Sequence, residues 1–574
     1  MIGHNLSANS PSKLALVVAV ATLLGACGGP SQQGADRGDK QGGRVVLGSA
    51  VDAKTLNPLL VTQGDPDSTM VVAPIYESLT AWNVKTGEME PRLADKFELS
   101  PDATTLIFTL RDGLKWSDGS AFNGDDFKFT VEATLRSRQT VNKSSFQTIA
   151  GATEYAAGMA DGVSGISFSD RSVTVHLSQP LCTALSNIGG SKLIPKSVFG
   201  KYMDPKDPTK NIDAAPENSA PPLAMGPYKF KEWVPNDHIT LVRNDQFFLG
   251  KPILDEYVHK VYPNGTAMVA ALKTGEIDLA NTAATNEDLG SADNLNGQSF
   301  LASAETYIAW NQLRGGKEFF QDKAVRQALA YGLDMDQFID KVLLGTGTRM
   351  VAFTQPISWA YDAAGLNEYK YNPDKARQLL EQDGWAKGAD GIYQKNGQKL
   401  EFTLLSIAGG KIFETLAQVA TQQYQQIGIK VTPKLESREA LNDRLFKSKD
   451  PKYGEQGGHD YDAAIYTLPL GADPGNGYSN WHSSQIKNGL NIVGYRNDVV
   501  DSALEDSRTH CGTAERKAAF QKMNRQLNED QPFNFGWGNH SVIYSNKRLQ
   551  GLDPGGFPNP PRGLVWNIDK WWMR

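Results

Sequence analysis

Few groups of residues in this chain have the spacing that catalysis requires. Gly409-Gly410-Lys411 approaches a loop that cradles phosphate with backbone N–H groups and a lysine. However, Leu405 stands where the first glycine belongs, and Ile412 where the magnesium-binding hydroxyl belongs. Gly345-Thr346-Gly347 lacks the third glycine of a dinucleotide-binding turn, with Met350 in its place. There is no Gly-x-Ser-x-Gly elbow and no His-Glu-x-x-His helix. The 8 histidines never fall four residues apart, so no helix face offers two imidazoles to a metal. His510-Cys511 reads as a surface pair flanking a helix. The carboxylate pairs Asp125-Asp126 and Asp460/Asp462 are accounted for by a helix N-terminus and a strand flank. The chain is expected not to be an enzyme, and to carry no cofactor and no metal.

The cysteines point elsewhere. There are 3, and the first closes Leu24-Gly25-Ala26-Cys27 at the end of the apolar run Leu14–Leu24. Such a run is long enough for export but falls short of the ~20 apolar residues that span a bilayer. The tetrapeptide resembles a bacterial lipobox, which implies cleavage before Cys27 and a thioether-linked lipid on it. Residues 1–26 are then a lipoprotein signal peptide. Residues 27–42, polar and glycine-rich, are a flexible tether. Acyl chains contribute about 0.8 kcal/mol per buried CH₂, so two or three of them hold a protein on a membrane without a spanning helix. The expected location is the cell envelope, facing the periplasm or the exterior. Cys182 and Cys511 remain, and their spacing is compatible with a disulfide or with two separate buried thiols.

At 574 residues the chain exceeds what one compact core organises, and two or three domains are expected. Hydrophobic content of 40% and charged content of 21% describe an ordinary globule. The net charge of −6 gives no electrostatic footprint for nucleic acid, and no polybasic cluster is present to hold anionic lipid.

The elements read as sheet-rich first and α/β later. Strands are predicted at 44–48, 104–110, 172–177, 228–234 and 239–242, with a helix over 125–138. Helical period follows at 266–274, 323–331 and 335–344. A helix from Pro373 is signalled by Asn372 as N-cap and Gly384 at its end. Residues 400–407, 411–427 and 429–435 read strand, helix, strand, the pattern of a right-handed crossover. Thr513–Asp530 is a long charged helix, and Asn534–Trp537 a short late strand.

Several segments, taken in order, resemble the extracellular solute-binding protein family that includes the oligopeptide and dipeptide receptors of ABC importers. They are Gly48-Ser49-Ala50-Val51-Asp52, Leu56-Asn57-Pro58, Ile75-Tyr76-Glu77-Ser78-Leu79 and Pro91-Arg92-Leu93-Ala94-Asp95. Leu110-Arg111-Asp112-Gly113-Leu114-Lys115-Trp116-Ser117-Asp118-Gly119 is the most specific. It is followed by Met225-Gly226-Pro227-Tyr228, Leu272-Lys273-Thr274-Gly275-Glu276-Ile277-Asp278 and Val325-Arg326-Gln327-Ala328-Leu329. On the residues alone, Arg111-Asp112-Gly113 and Ser117-Asp118-Gly119 are turn formers around an anchoring Trp116, which makes that motif structural.

The resemblance implies an α/β, two-lobed periplasmic-binding-protein fold of the large peptide-receptor type. Lobe I is expected to be discontinuous, from 43–265 and 536–574, with an extra subdomain near 120–200, and lobe II to span 266–535. It further implies a monomeric receptor that captures a short peptide or peptide-like solute between closing lobes and delivers it to ABC permease and ATPase subunits. Ser49, Ala50, Asp52, Leu56 and Asn57 are the expected lining from lobe I; Trp310, Asn311, Trp359, Leu470 and Asp473 are that from lobe II. Trp310 and Trp359 fit either a cleft wall or an ordinary core. Relatives that bind peptides place an aspartate against the ligand's α-amino group. The corresponding position here is Leu470, and Asp473 takes the role only if the alignment shifts locally. An oligosaccharide, an opine or a metal chelate is therefore an alternative ligand, and a non-transport envelope protein an alternative role.

Overall fold

The computed structural model describes residues 42–62, 65–83, 88–282, 292–313, 316–447, 459–470, 473–486, 489–553 and 564–574. Cys27, the signal peptide and the tether up to residue 41 lie outside the described residues.

The chain begins in a sheet. β1 (Arg44–Ser49) buries Val45, Val46 and Leu47, and α1 (Pro66–Ile75) follows, with Asp65 accepting from Ser68 N as its cap. A separate four-stranded antiparallel sheet comes next: β2 (Ala94–Leu99), β3 (Thr105–Leu110), β4 (Ile166–Phe168) and β5 (Ser172–His176), in the order β2-β3-β5-β4. Across it lies α2 (Gly124–Arg136), closed by a reciprocal capping box between Asn123 and Asp126. Phe127, Val131 and Leu135 of α2 enter the core of this sheet, while Phe129 and Ala133 enter the core beneath β1. Trp116 is 1% exposed and donates its Nε1–H to Asp126, so the turn motif anchors the sheet as expected. This core runs from Leu79 to Met225, wider than the expected subdomain of 120–200.

The chain then returns through β6 (Tyr228–Val234), β7 (His238–Arg243) and β8 (Glu256–Val261), the last parallel to β1. α3 (Gly265–Thr274) and β9 (Leu279–Thr282) come next. β9 pairs with β1, and Met268, Ala271, Leu272 and Ala280 pack with Val46 and Val258. The division expected at residue 266 therefore falls among elements that belong with β1. Helical period at 266–274 announces a helix but does not say which sheet it covers.

β10 (Leu295–Trp310) is 16 residues long. Beyond it come α4 (Lys323–Tyr331), β11 (Gly347–Arg349), α5 (Pro373–Gln382), β12 (Glu401–Ile407), α6 (Lys411–Gln426), β13 (Lys430–Glu436), β14 (Ala463–Pro469), α7 (Asp498–Thr509) and α8 (Thr513–Asp530). β15 (Phe533–Asn546) then runs for 14 residues against β10. One sheet results, ordered β13-β12-β14-β10-β15-β9-β1-β8-β7-β6, with β11 paired to β15. Its two halves are different bodies. At the β13 end Ile308 and Trp310 enter one core and Tyr307 and Ala309 another, so alternate residues of β10 feed both faces. At the β6 end the cores are those of β1 and α3. Among the described residues, only β10 and β15 belong to both halves. Their pairing slips in register between Leu301 and Glu305, where the strands pass from one body to the other. This is the two-lobed α/β fold.

Candidate functional site

The parallel strands of each half point their C-terminal ends at the junction, where α/β sheets leave ligand-sized crevices. In the first half this end is Ser49. Its Oγ donates to Asp67 Oδ1 of α1 at 2.5 Å and accepts from Val51 N at 3.1 Å. His259, fully buried, brings Nε2 within 3.5 Å of the same carboxylate oxygen. The turn after Ser49 leaves Ala50 exposed and Val51 55% exposed. Asp52 is spent on architecture: its Oδ2 accepts from Trp233 Nε1 at 3.2 Å and Asn236 N at 2.7 Å. Of the expected lining, Ser49 and Ala50 thus stand at an accessible strand end, with Asp52 bracing it from behind.

Leu56 and Asn57 are placed differently. Both are 0% exposed. Leu56 packs in the core under β1, and Asn57 Nδ2 donates to Asn218 Oδ1 at 2.7 Å while its Oδ1 accepts from Leu59 N. They hold the loop shape from inside and present nothing to a cleft.

Trp310 and Asn311 behave alike. Trp310 is stacked on Phe320 at 5.4 Å within an aromatic core, and Asn311 Nδ2 donates to the carbonyls of His459 and Tyr461. The core reading of Trp310 is the one realised.

Trp359 is partly exposed, edge-on to Phe520, and shares an apolar cluster with Trp82 and Trp566. Trp82 and Trp566 belong to segments around the first half of the sheet and Trp359 to the second, so the cluster spans the junction. Leu470 is partly buried against the core of α7 and α8.

Asp473 accepts from both Arg516 Nη1 at 2.7 Å and Arg516 Nη2 at 2.6 Å, and from Gly475 N at 2.7 Å. The guanidinium lies over the rings of Trp359 and Phe520 and also donates from Nε to Ser507 O. The carboxylate is therefore already engaged at both oxygens, a bidentate pairing of high geometric specificity.

Sequence reading passed over Glu305, the first residue of β10 beyond the register slip. It is 0% exposed, opposite Leu468 and Gly538, and among the described residues neither of its carboxyl oxygens has a hydrogen-bond partner. Burial pushes its pKa well above the usual carboxylate range, opposed by Arg349 nearby. Arg349 itself is pushed down to about 10 by burial and donates to the carbonyls of Met350, Phe535 and Gly536. The only signal in the sequence was a lone acid inside the run Ala304–Trp310.

Cys182 and Cys511 are joined in a disulfide, which settles what their spacing left open. Among the described residues, no group of three or more His, Cys, Asp or Glu side chains could hold a metal ion, and no helix is long and apolar enough to cross a membrane.

Comparison with known proteins agrees with this fold. Residues 88–489 match the family described as bacterial extracellular solute-binding proteins, family 5 Middle. The chain is 29% identical over 573 residues to the oligopeptide-binding protein AppA of Bacillus subtilis, covering 98% of each chain. The structure of that AppA in complex with a nonapeptide superimposes with a TM-score of 0.70, at 28% identity, over 93% of this chain and 99% of the other. The fold also matches the substrate-binding protein CtaP of Listeria monocytogenes, with a TM-score of 0.77 at 22% identity over 93% and 100% of the two chains.

Proposed function

Since the chain belongs to family 5 of the bacterial extracellular solute-binding proteins, we propose that it is the lipid-anchored receptor of an ABC importer. It takes up an oligopeptide between two lobes and passes it to the permease. The carrying observation is the register slip between Leu301 and Glu305: two bodies share one sheet through two strands, and the pairing between those strands breaks where they cross. A hinge there lets the strand ends at Ser49 and Pro469 approach and part. Lobe I in this reading comprises residues 42–301 and 540–574, and lobe II residues 305–538. Peptide is favoured as the ligand class by likeness over nearly the whole chain to a protein named for binding oligopeptides.

The proposed lining is Ser49, Ala50 and Val51 on one side, Pro469, Leu470 and Trp359 on the other, with Trp82 and Trp566 completing an aromatic wall. Main-chain groups at the strand ends would bond the ligand backbone, giving affinity without sequence choice. Ligand contacts to both lobes exist only when they are closed, so binding shifts the population toward closure by its differential affinity. Export and lipidation at Cys27 place the receptor at a membrane face, as a monomer.

The test is calorimetry with a defined peptide series of five to nine residues, alongside an oligosaccharide and a nickel–histidine chelate. Saturable binding of peptides alone is expected. Binding of only the sugar or the chelate sinks the peptide assignment, and mass spectrometry showing an unlipidated Cys27 in native membranes sinks the anchor.

A further inference from the structure

Cys182 follows Leu181, which is buried in the core of the four-stranded sheet, and it lies two residues before Ala184 in the same core. Its partner Cys511 sits in the turn between α7 and α8. Those helices bury Val500, Leu504, Phe520 and Met523 in the core against β14 and the second half of β10. The disulfide, with Cα atoms 5.0 Å apart across a sequence separation of 329, thus joins one body to the other. It is a covalent connection additional to β10 and β15. The same seam carries a backbone bond from Cys182 N to Arg508 O at 3.0 Å. Thr183 lies so close to Gly475 that a Cβ added there would come 3.0 Å from its methyl group. Gly475 in turn donates to Asp473, at the edge of the proposed lining. Both cysteines are partly exposed.

We propose that Cys182–Cys511 is a latch across the mouth of the cleft. A disulfide tolerates Cα separations up to about 7 Å, so at this rim the jaws can part by only about 2 Å while it is intact. Opening wide enough for fast exchange of a long ligand then depends on cleaving it. The chemistry is thiol–disulfide exchange with an external dithiol. The dithiol gives up two electrons and two protons and becomes a disulfide, while the latch becomes two cysteine thiols. An oxidising envelope keeps the latch shut, and a dithiol oxidoreductase of that compartment is the class of partner that would release it. This inference rests on the two-lobe hinge of the proposed receptor, but its first test needs no ligand.

Small-angle scattering of the unliganded full chain is recorded oxidised, and again after dithiothreitol followed by iodoacetamide, with circular dichroism confirming that the fold persists. A Cys182→Ser/Cys511→Ser variant provides a second route to the open latch. The expected result is an oxidised form that stays compact and a reduced, blocked form with a larger radius of gyration. Addition of a mixed-sequence nonapeptide should compact the reduced form again, and its association rate should rise about tenfold on reduction. Equal radii in the two forms, or an oxidised form already expanded without ligand, overturn the latch; the latter result would put the bridge on the hinge axis. If reduction expands the protein but no peptide binds either form, the latch stands and the peptide reading falls.

Discussion

Asp473 gives both of its carboxylate oxygens to Arg516, at 2.6 and 2.7 Å, in a pair whose side chains are only 12% and 10% exposed. A ligand ammonium arriving beside it would meet a carboxylate already neutralised. Peptides with free and acetylated N-termini are therefore expected to bind within about threefold of each other by calorimetry. A tenfold or larger loss on acetylation would return the amine-anchoring role to Asp473. Asp473→Asn should instead cost stability, about 3–5 kcal/mol, because it leaves a poorly solvated guanidinium with half its partner.

Glu305 predicts a pH dependence. Its proton is held more tightly in the folded chain than in the unfolded one, where an ordinary glutamate titrates near 4.5. The folded state thus binds more protons through the window from that value up to the raised one. Stability from this group is complete below it and is lost as pH rises. Glu305→Gln keeps the shape of the neutral acid without the liability. The melting temperature of the variant should match wild type near pH 4 and exceed it increasingly toward neutral and alkaline pH. Parallel curves would mean that Glu305 ionises without cost.

Trp359 offers a flat apolar surface in a cluster with Trp82 and Trp566. Replacing it with alanine should weaken peptide binding about tenfold, roughly 1.4 kcal/mol, with little change in melting temperature because the indole is only partly buried. Unaltered affinity would remove the aromatic wall from the proposed lining.

Asn57 separates architecture from contact. Asn57→Ala strands the buried Asn218 Oδ1 and the N–H of Leu59, a loss of about 2–3 kcal/mol. Denaturant unfolding should show that loss, while peptide affinity of the folded fraction stays unchanged. A weaker ligand interaction in a fully folded variant would make Asn57 part of the lining after all.

The helices were the most legible part of the sequence. Lys323–Tyr331 and Thr513–Asp530 begin and end where read, because helical period and a run of helix-forming charged residues are local signals. The strand–helix–strand of β12, α6 and β13 was read nearly to the residue, and β12 and β13 are parallel as a crossover requires. The two long strands were not. β15 was read only at 534–537 because Gly536, Gly538, Asn539 and His540 interrupt its apolar pattern. β10 was not read at all, with Gly297, Gln298, Ser299 and Glu305 inside it. Of these, Glu305, Gly538 and His540 lie beside the register slip, so part of what hid the strands sits at the proposed hinge.

The site was legible by segment and not by side chain. The proposed lining keeps the end of β1 and the segment after β14 from the sequence reading, whereas Leu56, Asn57, Trp310 and Asn311 face inward. Periodicity cannot distinguish an indole in a wall from one in a core. The disulfide joins residues too far apart in sequence for any local rule.

The place of β15 in the sheet has a consequence for biogenesis. It lies between β10 and β9, in the middle of the ladder, yet it is made from residues 533–546 of a chain of 574. A polypeptide threaded across a membrane N-terminus first must wait, with two open strand edges, until nearly its whole length has emerged. Such edges invite pairing with the wrong neighbour. The molecule can therefore complete its architecture only after translocation is all but finished, and a truncation anywhere before Phe533 leaves a sheet with its keystone missing.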